Sequence, residues 1–108
     1  MSLDDALDAY TEAGEHYALK RAEEMKLEDE RHIIKQAALL RIMATTNELT
    51  GKPHSASSAE SVVQLDAEYA EYLGRQREAA FFTILARTAW ESARLRAQYL
   101  ALLLGSPE

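Results

Sequence analysis

The chain predicts an all-α fold: a long antiparallel two-helix hairpin that dimerises into a four-helix bundle. Three observations carry this expectation. Residues 4–50 and 58–104 contain no proline and only two glycines, Gly14 and Gly74. One strong break, Gly51-Lys52-Pro53-His54-Ser55, separates them, with the Gly-then-Pro order that ends helices and a serine cluster that restarts them. The hydrophobic fraction is 47%, and Ala and Leu, both strong helix formers, dominate it while the β-branched strand formers are scarce. A chain of 108 residues makes one domain at most. At a rise of 1.5 Å per residue each run would be a rod of about 70 Å, a shape suited to assembly surfaces rather than to an enclosed pocket.

The first helix spans about 4–50. Ser2 with Asp5 three residues later forms a capping pair, and Asp4, Asp5 and Asp8 suit the positive end of the helix dipole. An apolar stripe runs Leu3, Leu7, Tyr10, Ala13, Tyr17 and continues as Ala18, Ala22, Met25, Ile33, Ala37, Leu40 and Met43. Asp29 takes the in-phase position between Met25 and Ile33, within a stretch dense in charge. The plain interpretation is a solvated length of helix with ion pairs such as Lys20–Glu24. The sharper one makes Glu28, Asp29 and His32 a candidate partner surface, or a polar layer that fixes register.

The turn covers about 51–57, and the second helix about 58–104, opening on Ser57 and Glu60 at capping-box spacing. Its stripe runs Val62, Leu65, Tyr69, Leu73, Ala80, Ala86, Trp90, Ala93, Ala97, Leu100 and Leu104, interrupted by Gln76 and Thr83. Asp66 could also cap a fresh start, which makes a kink near 65–67 the alternative to one continuous helix. From Ala79 onward the apolar surface widens over more than one face, and such a helix is buried on several sides. A hairpin offers it one neighbour, which leaves Phe81, Phe82, Leu85, Leu95 and Leu102 as a candidate oligomer interface. Ala79, Ala86, Ala89, Ala93 and Ala97 allow close helix approach, and a homodimer is the simplest closure.

Charge order sets the helix direction. Residues 1–19 and 55–74 carry acids without Lys or Arg. A turn near residue 54 places the first acidic block opposite Arg94 and Arg96, and the second opposite Lys35, Arg41 and Lys52. Both blocks meet bases in the antiparallel register.

The search for chemistry is mostly negative. The net charge of -6 opposes nonspecific attraction to phosphate backbones or anionic lipid. With no cysteine there is no disulfide framework, thiol chemistry or thiolate-bound zinc. The acidic start is the reverse of a basic targeting segment, and the longest apolar run, Tyr99 to Leu104, is too short to span a bilayer, so a cytoplasmic protein without membrane contact is expected. Glu12 and Glu28 stand four residues before His16 and His32, and Asp29 stands three before His32. A di-iron bundle wants Glu-x-x-His twice, and the second helix has no histidine, so no metal or other cofactor is expected. Glu12-x-x-Glu15 and Glu68-x-x-Glu71 are half of the acidic pattern of all-α nucleotide pyrophosphohydrolases, without its completing Glu-x-x-Asp element. No phosphate loop follows a strand, since no strand is expected, and the serines of 55–58 have no paired base. No catalytic residue is therefore assigned, and the protein is not expected to be an enzyme.

Nucleic-acid binding has one feature in its favour. Every base from residue 75 onward is arginine (Arg75, Arg77, Arg87, Arg94, Arg96), interleaved with Phe81, Phe82, Trp90 and Tyr99, a combination able to stack bases. The register and the core claim most of these side chains, so nucleic acid is a secondary partner class.

Leu27-Glu28 with Arg31 and Lys35, then Ser58-Ala59-Glu60, Asp66 and Tyr69, and an Ala/Arg-rich helix through Arg94, resemble a class of small phage-encoded helical-hairpin proteins. The resemblance covers about residues 20–100. It implies an accessory or interaction role among early or recombination functions and carries over no catalytic residue. The expectation is an oligomeric, cytoplasmic helical interaction protein with a possible protein partner. The alternatives are a nucleic-acid accessory factor using the arginine face and, behind it, a metal-binding bundle.

Overall fold

The computed structural model describes residues 1–105. In chain order they form α1 (Leu3–Met43), a ribbon of β1 (Thr46–Asn47) and β2 (Lys52–Pro53), α2 (Ala56–Val62), a 3-10 turn (Val63–Leu65) and α3 (Ala67–Gly105). The protein is mostly helical. It divides into two compact units, one of Met1–Met25 with the chain from Ala79 on, the other of Lys26–Glu78.

The first unit is an antiparallel helix pair. The Ser2 hydroxyl accepts the Asp5 N–H at 3.1 Å and starts α1. The Thr83 hydroxyl lies 3.1 Å from the Lys20 carbonyl, which it reaches across the seam. About two turns further along α3, the Trp90 ring stacks on Tyr10 and tilts against Tyr17, with centroids 6.1 and 5.5 Å apart. Beyond it Leu7 shares a shallow groove with Ala97 and Ala101. Ala6, Ala86 and Ala97 are buried, so the seam is built from small residues around one large ring. Gly14 makes room for that ring: a Cβ there would lie 3.1 Å from Trp90 Nε1.

The second unit has a denser centre. Tyr72 is fully buried and clusters with Ala38, Val63 and Tyr69, flanked by Leu27, Ile34 and Ile42. Its hydroxyl donates to the Leu27 carbonyl, which satisfies the one polar atom this ring takes inside. Burial, helped by the nearby Glu30 charge, pushes the phenol pKa up.

Charge pairing in this unit joins the acidic start of the second helical run to the end of α1. Lys35 pairs with Glu60. Arg41 forks onto both oxygens of Asp66, Nη2 to Oδ1 at 2.8 Å and Nε to Oδ2 at 3.2 Å, and its Nη1 reaches Glu68 at 3.2 Å. Asp66 Oδ1 also accepts the Tyr69 N–H at 2.9 Å, capping α3. Arg41 first, then the Tyr69 amide, hold the Asp66 carboxyl below the usual carboxylate range. Asp66 reciprocally raises the Arg41 pKa.

The connector departs from the sequence expectation. α1 stops at Met43 rather than near residue 50. Thr45 turns its hydroxyl back onto the Ile42 carbonyl at 2.7 Å, and Asn47 Oδ1 accepts the Leu49 N–H at 3.0 Å, side-chain bonds that compete with helix continuation. The chain then pairs Thr46 with Pro53 and Asn47 with Lys52, so a short ribbon exists where no strand was expected. Gly51, at φ 69°, closes the loop of this ribbon instead of ending a helix. The cap of α2 is Ser55, whose Oγ accepts the Ser58 N–H at 3.1 Å, rather than Ser57. The helical run breaks again at Val63–Leu65 before Asp66 restarts it.

Candidate functional site

In the first unit α3 carries two stripes. The inward one, through Thr83, Ala86, Trp90, Ala93 and Ala97, packs on α1 with small side chains. The outward one holds the bulk: Phe81, Leu85, Leu95, Tyr99 and Leu102 are 57%, 50%, 59%, 62% and 72% exposed. Phe81 precedes Thr83 by two residues, or about 200° around a helix, so the stripes lie on opposite faces. Phe82 edges the outer stripe, its ring 5.9 Å from that of Phe81, with the Lys20 ammonium 5.8 Å from its centroid. Phe81, Leu85, Leu95 and Leu102 of the expected oligomer interface are thus on the outer surface of α3, whereas Phe82, four residues before Ala86, flanks the seam beside Lys20. The outer face of α1 in the same unit carries Asp5, Asp8, Glu12, Glu15 and Glu23, broken by Leu19. The apolar outer face belongs to α3 alone.

The second candidate surface, Glu28, Asp29 and His32, is exposed on α1 within the other unit. Asp29 does not interrupt the packed seam. The residues of α1 that pack there are Leu27, Ile34, Ala38 and Ile42, whereas Met25, Ile33 and Leu40 are exposed. The stripe drawn from the sequence leaves the seam after Tyr17, because the next inward positions are held by Lys20, Arg21 and Glu24, all half-buried. Arg21 pairs with Glu24, and Lys20 with Glu23 at 3.5 Å rather than with Glu24. Following apolar residues through this stretch steps onto the outer face, where Asp29 lies in phase with Met25 and Ile33. The buried polar side chain of the first unit's seam is Thr83, which is only 7% exposed.

The arginines divide. Arg94 lines the groove with Leu7 and Tyr10, and Arg87 reaches Glu91 on its own helix at 3.9 Å. By its spacing Arg96 flanks the outer stripe instead of facing the acidic start of α1. Trp90 is committed to the seam.

One polar constellation was missed. His54 Nδ1 lies 2.7 Å from Ser58 Oγ, which also accepts from Asn47 Nδ2 at 3.2 Å, so Ser58 has a neighbouring base after all. The triangle fastens the ribbon to α2. An open cleft nearby is lined by Thr45, Glu48, His54 and Asp66, but Ser58 does not face it, and Asp66 is engaged by Arg41. The geometry is that of a brace rather than of a nucleophile presented to substrate. Among the described residues no three His, Asp or Glu side chains converge as a metal ion requires, and no helix is long and apolar enough to cross a membrane.

No protein-family model, no curated protein and no solved structure matches this chain.

Proposed function

We propose that this chain is a non-catalytic, oligomeric helical interaction protein of the cytoplasm, which works by presenting the outer face of α3 to another helical surface. One observation supports the reading above others: α3 is apolar on two opposite faces and its own hairpin occupies one. An outward stripe three heptads long, apolar at both ends around Thr88 and Ser92, beside a seam already filled by Trp90 and alanines, is the arrangement of a helix with two neighbours. A second copy closing over it gives a four-helix assembly. The secondary reading, a nucleic-acid accessory factor, draws on the exposed Phe81, Phe82 and Tyr99 beside Arg96, and meets the opposing net charge of -6.

Light scattering at micromolar concentration tests the proposal, with a mass of at least twice 12.1 kDa expected. Leu85→Asp should return the chain to a monomer while its helical circular dichroism persists. Leu85 is half exposed and takes no part in the hairpin's packing, and a carboxylate forced into an apolar seam costs several kcal/mol. A monomeric wild type, or salt-dependent retention on single-stranded DNA that Arg96→Ala abolishes, would overturn the reading.

A further inference from the structure

The outer stripe of α3 has an internal order that selects its occupant. From Phe81 the steps to Leu85, Thr88, Ser92, Leu95, Tyr99 and Leu102 alternate four and three, a heptad seam in its own right. On one flank stands Glu91 and on the other Arg96, five residues on. In a parallel two-stranded coil, flanking positions five apart face each other across the seam, and charges there set partner and orientation. Two copies of α3 laid parallel and in register bring Glu91 of each beside Arg96 of the other, twice by symmetry. The antiparallel alternative that sets Glu91 against Glu91 leaves Arg96 beside Phe82. Glu91 is free to make this exchange, since its contact with Arg87 on the same helix is long, at 3.9 Å. The acidic outer face of α1 repels its own copy, so it offers no competing self-contact.

We infer that the occupant of the outer α3 seam is α3 of a second copy, parallel and in register, joined by reciprocal Glu91–Arg96 pairs. The inference rests on the reading of that face as a protein contact and adds the partner and its orientation. Because the two faces of α3 are opposed, the four helical segments of two first units then lie in a row, with the two α3 segments inside, rather than at the corners of a square.

The chain has no native cysteine, so single-cysteine variants report the geometry directly. Thr88→Cys should form a disulfide-linked homodimer on mild oxidation, since in-register residues of the seam come within the Cα separation a disulfide needs. An antiparallel pair in the register that brings the two Glu91 side chains together places Thr88 opposite Ser92, and a disulfide then forms only when Thr88→Cys and Ser92→Cys chains are mixed. Glu91→Arg and Arg96→Glu should each raise the dimer dissociation constant severalfold at low salt, and the double exchange should restore it. A dimer that cross-links only in the mixture, or in neither case, overturns the orientation while leaving the protein-contact reading standing. A chain that stays monomeric at high concentration overturns both.

Discussion

At the scale of single residues, the first unit turns on one contact, Gly14 against Trp90. The ring sits over a position with no side chain, 3.1 Å from where a Cβ would be, between Tyr10 and Tyr17. Gly14→Val must therefore displace the ring, at a cost of about 1–3 kcal/mol by overpacking. Trp90 is the sole tryptophan, so its fluorescence should shift to longer wavelength as it moves into water. Gly74 is the control: nothing lies within 4 Å of a Cβ there, and Gly74→Ala should raise stability by about 0.5–1 kcal/mol, read from urea midpoints. Neither outcome was legible in the sequence, where both glycines look like the same blemish in a helix. Tyr72 escaped for a related reason. The sequence stripe passed from Tyr69 to Leu73, and only the Leu27 carbonyl across the seam explains why a phenol is the more deeply buried neighbour.

At the scale of elements, the two long helical runs and the break between them were legible because Gly and Pro act locally. The ends were not. Thr45 and Asn47 stop α1 through bonds to their own backbone, which no hydrophobic pattern records. The stripe of α1 misled because long side chains such as Lys20 and Arg21 lay their stems along the seam and keep their charges at its edge. The start of α3 depends on ionisation. Asp66 caps the helix and holds Arg41, and its carboxyl pKa lies below the ordinary 3.8. Its contribution is therefore complete above the unfolded-state value and is lost as pH falls through the folded one. Thermal melts taken downward from about pH 5 should show this loss, and Asp66→Ala should flatten it while lowering stability by about 1–2 kcal/mol at neutral pH. Arg41→Gln should produce a weaker form of the same flattening, because the Tyr69 amide remains as a partner.

At the scale of the whole molecule, the candidate oligomer surface was legible as an excess: more large apolar residues in α3 than one neighbour can cover. Its division into two opposed faces was not, because that requires knowing which stripe the hairpin takes. Thr83, the alanines and Trp90 face α1, and Phe81, Leu85, Leu95, Tyr99 and Leu102 face away. In the proposed dimer, stability depends on the concentration of the chain itself, as for any state linked to association. The midpoint of thermal unfolding should rise with protein concentration, by the equivalent of about 1.4 kcal/mol per tenfold for a dimer. In the Leu85→Asp variant it should stay constant. The centre of the outer stripe adds a kinetic consequence. Thr88 already satisfies its hydroxyl on the Ile84 carbonyl at 3.0 Å and enters a seam at little cost, whereas Ser92 brings a second hydroxyl to the same stretch. In the proposed dimer, two short polar side chains where a tight zipper would hold leucine shorten the residence time of each copy on the other. Subunits joined through such a centre trade places readily, so the population stays open to replacement by any helix that fills the middle better.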